Sequence, residues 1–283
     1  MQISEKSIIY VPDGIEPGIA LARTTHMAIV AHQDDAETIA HDMIALCYDN
    51  PREWFTAVIV TDGAGSTKTG QYTDISEKDL IKIRNTEQKE AARTGDYGAL
   101  IILGHPSSAA KKTANNHITE EIARIIKWAK PDIIYTHNPF DSHDTHVAVM
   151  LKTIDALRFL QGEYNPEKLI GCEAWRSLDW LLPEDRLALD VSLRPELAGK
   201  LLGVFKSQLG SGKRYDKAVI GRRQANATFD NARTPDESDA VTFAIDLKPL
   251  IENPGLDVII FARKYMDRFR DDVINRIEKF GGI

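Results

Sequence analysis

Four short runs of apolar and β-branched residues mark the first half of the chain, and longer mixed segments separate them. The runs are His26–Ala31, Phe55–Thr61, Ala99–Leu103 and Asp132–Thr136. Nearly continuous apolar runs of this length are typical of strands in a parallel sheet that is covered on both faces. The pattern therefore predicts an α/β fold with a mostly parallel sheet.

The segments between these runs have the apolar spacing of amphipathic helices. In one of them Ile118, Ile122 and Ile126 share a face, and Pro131 ends the segment. Strands that alternate with such helices are typical of a layered α/β architecture. The predicted helices are Asp35–Tyr48, a helix from Ser76 to about Gly95, Asn116–Lys130 and a helix from about His143 to Leu160.

The pattern is weaker towards the two ends of the chain. No linker or internal repeat interrupts it, which favours a single domain over 1–283, with a core at about 25–210 and a C-terminal extension at 211–283. The polar composition of 210–239 predicts a long loop. The remaining predicted elements are an edge strand at Ser7–Val11, a strand at Lys168–Glu173, a helix at Pro195–Ser207, a late strand at Val258–Phe261 and a terminal helix at Tyr265–Lys279.

Composition and charge narrow the class of protein. The chain has 283 residues, 43% of them hydrophobic and 27% charged, and a formal net charge of −7, which argues against a nucleic-acid partner. Its two cysteines, Cys47 and Cys172, form no CxxC pair, so free thiols in a cytoplasmic protein are expected. No secretory signal and no apolar run of membrane-spanning length is apparent, so no membrane partner is expected.

Titratable residues gather after two of the predicted strands. His32, Asp34 and Asp35 follow the first, and His143 and His146 follow the fourth. Ligands of parallel sheets bind beyond the carboxyl ends of the strands, so both groups are expected at one ligand site at that edge. Imidazole and carboxylate are zinc ligands, and a catalytic zinc site uses three of them and leaves one position open.

These residues also have simpler interpretations. Asp34 and Asp35 are suitable as the cap and first-turn acids of a helix, and two histidines three apart are common on a helix surface. Capping alone does not account for both clusters at strand ends. The pattern favours a His-Asp-His set completed by either His143 or His146, with the other histidine free for substrate and Asp34 as a general base.

The motifs resemble those of the PIG-L/LmbE-like N-acetylglucosaminyl deacetylases. Residues 31–37, AHQDDAE, are similar to the AHPDDAE hallmark of that family, and 143–146, HDTH, keep both histidines of its HPDH-like segment. Weaker similarities are TDG at 61–63, RNTE at 84–87, WRS at 175–177 and SQ at 207–208. The resemblance covers about residues 25–210.

The resemblance implies a zinc-dependent hydrolase that removes an acetyl group from an N-acetylated amino sugar or a similar small polar substrate. It implies a Rossmann-like three-layer sandwich and an enzyme that forms trimers or hexamers. Asp34 would be the general base, and His143 would stabilise the oxyanion or protonate the leaving amine. Arg84 would contact sugar hydroxyls. The implied zinc ligands are His32, Asp35 and His146.

Two more side chains are candidate substrate contacts by position. Gln33 stands where the family has proline and adds an amide that can reach substrate, and His105 ends the third strand at the same edge of the sheet. A second departure is Thr145, which replaces an aspartate that orients the catalytic histidine. Asp141 or Asp144 is then the expected substitute.

These departures leave two alternatives open. The same His-Asp-His site can serve a metal-dependent hydratase or lyase acting on a carboxylated small molecule, which would need a carboxylate clamp such as Arg222 or Arg223. The other alternative is a sugar-binding relative without catalysis. Release of acetate separates the hydrolase from both.

Overall fold

The computed structural model describes residues 3–65, 68, 70–210 and 212–281. Eight strands in this part of the chain form one sheet. Their bounds are β1 Ile8–Tyr10, β2 His26–Val30, β3 Phe55–Thr61, β4 Ala99–His105, β5 Ile133–His137, β6 Lys168–Cys172, β7 Leu187–Asp190 and β8 Val241–Asp246.

Helices connect the strands and cover both faces of the sheet. They include two long ones beside the parallel strands and a 24-residue helix at the end of the described chain. The helices are α1 Pro17–Ala22, α2 Asp35–Ile39, α3 His41–Cys47, α4 Glu77–Thr94, α5 Ser107–Ala110, α6 Asn116–Ala129, α7 Asp144–Phe159, α8 Pro195–Gly203, α9 Lys206–Leu209, α10 Tyr215–Phe229, α11 Pro249–Glu252 and α12 Val258–Gly281, and a 3₁₀ turn lies at Gly70–Tyr72.

The order of strands creates a switch point beside β2. The sheet runs β1-β4-β3-β2-β5-β6-β8-β7, and the five strands from β4 to β6 in that order are parallel to one another. After β2 the chain adds β3 and β4 on one side, and then returns to place β5 on the other side. Ligand crevices of open α/β sheets form at such reversals. The loops after β2 and β5 therefore meet at the carboxyl edge.

Burial on both faces explains why the central strands are apolar throughout. All five residues of β2 and all seven of β3 are buried. Met27 and Ile29 pack into the core on one face, whereas Ala28 and Val30 pack into the core on the other. Alternate side chains of a strand point to opposite faces, so a strand covered by helices on both sides contains few polar residues. The predicted mostly parallel α/β fold is confirmed.

Four predicted elements differ from the structure. The predicted helix Pro195–Ser207 is two helices, α8 and α9, because the backbone leaves the helical conformation at Phe205 (φ −80°, ψ 61°). The predicted helix Asp35–Tyr48 is two helices, because the backbone leaves the helical conformation at Ala40 (φ −126°, ψ 31°). The predicted late strand Val258–Phe261 is wrong, since these residues form the first turn of α12, where the Asp257 carboxylate accepts the backbone N–H of Ile259 at 2.6 Å.

The predicted long loop at 210–239 is also wrong over half its length, because it contains α10. The late strand of the C-terminal part is β8, which lies between β6 and β7 and is antiparallel to both. Within the part of the chain that the structure describes, no helix is both long and apolar enough to cross a membrane.

Candidate active site

The first half of the site is the turn that leads from β2 into α2. Asp34 has a left-handed backbone (φ 88°), which is uncommon for a residue with a side chain. This conformation reverses the chain, so that the Asp35 carboxylate accepts the backbone N–H of His32 at 2.7 Å. The Thr38 hydroxyl donates to the Asp34 carbonyl at 2.9 Å and fixes the start of α2. The turn thus presents His32 and both carboxylates together.

The second half of the site is the segment between β5 and α7. His143 precedes α7, and its Nδ1 accepts the backbone N–H of Thr145 at 3.3 Å. His146 lies one turn further on and is fully buried. The Asp141 carboxylate contacts His146 Nδ1 at 3.3 Å and accepts the His143 backbone N–H at 2.9 Å. The Asp141 side chain therefore contacts the ring of His146 and only the backbone of His143, and Asp144, the other residue expected to orient the His143 ring, is exposed.

Three side-chain atoms from the two halves form a nearly equilateral triangle. His32 Nδ1 lies 3.2 Å from Asp35 Oδ2 and 3.3 Å from His146 Nε2. The distance from His146 Nε2 to Asp35 Oδ2 is 3.4 Å. Two ring nitrogens and a carboxylate oxygen this close together form a donor set that suits a divalent metal ion.

This triangle fits a tetrahedral zinc ion. Ligand atoms at about 2.0–2.1 Å from a tetrahedral ion are separated from one another by about 3.3–3.4 Å. The three observed distances differ from that value by about 0.1–0.2 Å or less. Metal-bound imidazoles usually hold a carboxylate on their other nitrogen, as Asp141 does here for His146. The residues present thus suit a three-ligand site with an open fourth position.

Two further histidines lie against this triangle. His137, the last residue of β5, stacks on His146 with ring centroids 3.8 Å apart, and its Nε2 accepts the Ala31 backbone N–H at 3.0 Å. His143 stacks on the other side of His146 at 4.5 Å. Two overlapping sets of side chains can also surround an ion, namely His32, His143 and His146, and Asp35, His137 and His146. Burial lowers the pKa of His137 to about 4, so its ring is neutral.

The two adjacent aspartates have opposite electrostatic environments. Burial and the neighbouring Asp35 carboxylate raise the pKa of Asp34 well above its ordinary value. Burial alone would also raise the pKa of Asp35, but the charge of His146 and the His137 and His32 side chains beside its carboxylate hold that pKa well below its ordinary value. Asp35 is therefore the permanently ionised member of the pair.

Ser207 and Gln208, the SQ dipeptide of the sequence, connect Asp34 to helix α4. The Gln208 amide donates to Asp34 Oδ2 at 2.6 Å and to the Gln33 carbonyl at 3.0 Å. Ser207 donates to the Glu87 carboxylate of α4 through its backbone at 2.8 Å and its hydroxyl at 2.5 Å. Gln208 thus fixes Oδ2 of Asp34, and the Asp34 side chain lines the cavity.

A cavity of about 730 Å³ opens over these residues. Its floor contains His32, Asp34 and Asp35, and His143 stands at its side. Apolar and aromatic wall residues mix with cationic ones, as in a site for a small polar ligand. The remaining wall residues include Thr38, Gly65, Arg84, Ser107, Lys111, Thr145, Ala174, Trp175, Gln208, Lys213, Arg214, Tyr215, Ala218, Val219 and Arg222.

The three residues predicted to contact substrate occupy different places. Arg84 lines the cavity, but it is 1% exposed and donates to the Gly63 carbonyl at 2.7 Å. Gln33 is fully buried outside the cavity wall, where its amide donates to Asn85 at 3.2 Å. His105 pairs with the buried Glu121 carboxylate, 2.5 Å from its Nε2. Neither Gln33 nor His105 lines the cavity, and their contact with substrate stays a prediction.

Several functional positions were not assigned a role from the sequence. Gln208 was visible only as part of the weak SQ fragment, and Trp175 as part of WRS. His137 belongs to the second polar cluster, but its contacts with Ala31 and Asp35 depend on the pairing of β5 with β2. Tyr215 lies in a segment predicted to be a loop. For Tyr215 no sequence signal was available, because tertiary packing alone brings α10 to the cavity.

The fold and the site together define an α/β protein with a His-Asp-His cluster at the carboxyl edge of its sheet. Residues 27–157 match the model of the PIG-L family, described as GlcNAc-PI de-N-acetylase, so the chain contains a PIG-L region over these residues. The family resemblance predicted from the motifs is confirmed there. A search of curated protein sequences finds no match.

Solved structures share this architecture at low sequence identity. N,N'-diacetylchitobiose deacetylase from Pyrococcus horikoshii is 17% identical with a TM-score of 0.63, over 81% of this chain and 86% of its own. The 4-carboxy-2-hydroxymuconate hydratase from Pseudomonas putida is 14% identical with a TM-score of 0.60, over 79% and 96%. The A40926 pseudoaglycone deacetylase is 17% identical with a TM-score of 0.58, over 80% and 98%. At these identities the likeness shows the fold.

Proposed function

We propose that this protein is a metal-dependent amide hydrolase that removes the acetyl group from an N-acetylated amino sugar or a similar small polar substrate. The observation that carries the proposal is the triangle of His32 Nδ1, Asp35 Oδ2 and His146 Nε2, with sides of 3.2, 3.3 and 3.4 Å. Support also comes from the PIG-L match over 27–157 and from the fold shared with two deacetylases.

His32, Asp35 and His146 would hold a zinc ion or another divalent metal. When bound, such an ion supplies Lewis-acid chemistry, since it polarises a carbonyl and brings the pKa of a water towards ~7. Asp141 would keep the His146 ring in the orientation that directs Nε2 at the site. These assignments are consistent with three protein ligands and one open position.

Asp34 acts as the general base in this mechanism. Gln208 donates to Oδ2 of this carboxylate, which lines the cavity, and the other oxygen, Oδ1, takes a proton from the attacking water. When the carbon–nitrogen bond breaks, the same oxygen returns the proton to the leaving amine. The products are acetate and a free amine.

His143 stabilises the negative charge that develops on the acetyl oxygen. Its Nδ1 accepts the Thr145 N–H, so the neutral ring carries its proton on Nε2. That N–H is free to donate to the oxygen, an interaction of about 3–4 kcal/mol when the donor is well placed. This role depends on the backbone of residue 145 and not on its side chain, so threonine in place of aspartate is compatible with it.

The test is acetate release from a panel of N-acetylated sugars by the zinc-loaded protein. We expect Asp34→Asn to retain the metal and lose turnover by a factor of at least 10², and His146→Ala to lose both. Asp144→Asn, which alters an exposed residue of the same segment as His146, is the matched control and is expected to change neither quantity. An Asp34→Asn variant that turns over at the wild-type rate would contradict the proposed role of Asp34.

A second candidate is a metal-dependent hydratase acting on a carboxylated small molecule. The cation-rich cavity wall favours it, as does the fold shared with a hydratase of 4-carboxy-2-hydroxymuconate. The predicted clamp residue Arg222 lines the cavity, whereas Arg223 is buried and donates to the carbonyls of Glu37 and Thr38. Loss of diene absorbance without acetate release would favour this candidate. Ligand binding without turnover on either panel would indicate the non-catalytic alternative.

We further propose a single domain, because β8 completes the sheet and Gln208 and α10 complete the cavity. The cytoplasmic location expected from Cys47 and Cys172 and the homo-oligomeric state remain predictions. Both thiols are buried and free, which is consistent with a reducing compartment.

A further inference from the structure

The cavity above the proposed metal site is rich in cations, although the whole chain carries a net charge of −7. Its wall includes Arg84, Lys111, Lys213, Arg214 and Arg222. Among the described wall residues the only carboxylates are the two aspartates of the floor. A cleft lined by one sign of charge raises the local concentration of ligands of the opposite sign.

Three of the cations that are not buried, Lys111, Lys213 and Arg222, form no ion pair among the residues described, and Lys213 and Arg222 are the two near Trp175 and Ala174. Arg214 is already neutralised by Asp216, 2.5 Å away. Lys213 and Arg222 have no carboxylate within ion-pair distance among the residues described. One Arg222 nitrogen donates to the Ala174 carbonyl, which holds the guanidinium against the wall, and the Lys213 ammonium lies 5.1 Å above the Trp175 ring.

Ring contacts connect this cationic pair to the catalytic groups. His143 lies 4.9 Å from His32 and 6.1 Å from Trp175, measured between ring centroids. Tyr215 lies 5.8 Å from Trp175, measured in the same way. Trp175 is 44% exposed and offers a flat face beside His143. A molecule the size of one sugar ring can therefore reach from the triangle of His32, Asp35 and His146 to Trp175.

We propose that the substrate carries an anionic group, a phosphate or a carboxylate, which Arg222 and Lys213 bind beside Trp175. Guanidinium groups bind such oxyanions through paired hydrogen bonds, and a lysine adds a point charge. The inference rests on the proposed function in one respect, because it takes the N-acyl group of the substrate to lie at the cavity floor formed by His32, Asp34 and Asp35. It narrows the substrate class to acidic derivatives and assigns recognition of the charge to α10 and the residues just before it.

The experiment measures binding to the zinc-loaded Asp34→Asn variant by calorimetry, so turnover does not interfere. The ligands are N-acetylglucosamine, its 1-phosphate, its 6-phosphate and its 6-carboxylate. We expect at least one charged ligand to bind tenfold or more tightly than the neutral sugar. The preference should fall about tenfold with Arg222→Gln or Lys213→Gln and should weaken at high salt. Which acid is preferred distinguishes a phosphate from a carboxylate substrate.

Arg176→Gln and Lys217→Gln are the matched controls, since both residues are exposed neighbours outside the cavity wall. They should leave the preference unchanged. Equal affinity for neutral and charged ligands, or a preference that survives both cavity variants, overturns the inference. Acetate release from the neutral sugar would in that case leave the proposed function intact. The opposite combination is also informative. If the preference for charged ligands is lost in Arg222→Gln, but the wild-type protein releases no acetate, the anion site is supported and the proposed hydrolase is contradicted.

Discussion

Replacing Asp141 with asparagine tests whether the site is built to hold a metal. The Asp141 carboxylate lies 3.3 Å from His146 Nδ1, on the opposite side of the ring from the triangle. Burial would raise the pKa of Asp141, but the hydrogen bond and charge of His146 hold it below its ordinary value, so the group is ionised. Asparagine keeps an oxygen for hydrogen bonding and removes the charge.

The expected effect on metal affinity follows from this contact. Partners on the far nitrogen of a metal-bound imidazole typically contribute 10–100-fold to metal affinity, equivalent to about 1.4–2.7 kcal/mol. The 3.3 Å separation is longer than an ideal hydrogen bond, so the lower part of the range, about tenfold, is expected for asparagine. Alanine also removes the acceptor for the His143 backbone N–H and should cost more.

The assay is competition for zinc against a chromophoric chelator at constant pH. Asp144→Asn is the matched control, because it removes an exposed carboxylate from the same segment. Unfolding of the metal-free variants in urea separates a loss of metal affinity from a loss of fold. A zinc dissociation constant unchanged in both Asp141→Asn and Asp141→Ala would refute the assignment of His146 as a ligand oriented by Asp141.

Three further perturbations test other parts of the structure. Gly63→Ala should destabilise the protein by about 1–2 kcal/mol or more in urea unfolding, because φ is +73° and the new Cβ would lie 2.2 Å from Gln33 Oε1. His41 is buried, and its pKa is lowered to about 4. As the pH falls below about 6.5, this histidine therefore takes up a proton in the unfolded chain but not in the native chain. Stability should decrease by up to about 3 kcal/mol towards pH 4, and His41→Gln should reduce that dependence. Ser207→Ala should cost about 1–3 kcal/mol, because it leaves the Glu87 carboxylate with one fewer donor.

Each of these has a defined contradicting result. For the glycine, Gly65→Ala is the control, since a Cβ there meets nothing within 4 Å, and equal stability of the two variants would be contrary to the strain described. For the histidine, the free energy of unfolding could depend on pH in the same way in wild type and His41→Gln. That result would show that other groups cause the loss of stability at acid pH. For the serine, an unchanged urea midpoint would mean that the Ser207 hydroxyl contributes nothing to the packing of α9 on α4.

The central strands could be predicted from the sequence because burial on both faces leaves them almost without polar residues. Val258–Phe261 has the same local composition and is a helix, and four apolar residues do not define a period. The distinguishing signal is Asp257, whose carboxylate accepts N–H groups of the first turn. The sequence therefore contains a helix-capping aspartate at this point, but the apolar run that follows it favours a strand in a pattern-based prediction.

Helix α10 could not be predicted from its pattern because its buried residues include polar ones. Arg223 is buried by donating to two backbone carbonyls of α2, and Asn226 by donating to the buried Glu173 carboxylate. Such residues appear solvent-exposed in a hydrophobicity pattern, since their partners come from distant segments. Partners from distant segments also explain why only part of the candidate site could be predicted. The residue types of the triangle were apparent in two motifs, whereas Gln208, Trp175 and Tyr215 reach the cavity only through tertiary packing.

The most direct test of the account is the position of a metal ion in crystals of the protein grown with zinc. Anomalous diffraction at the zinc edge should give one strong peak at about 2.0–2.1 Å from each of His32 Nδ1, Asp35 Oδ2 and His146 Nε2. That peak should disappear in His146→Ala. A zinc peak located only elsewhere, or none at these three atoms at saturating zinc, would contradict the metal site and with it the proposed hydrolase.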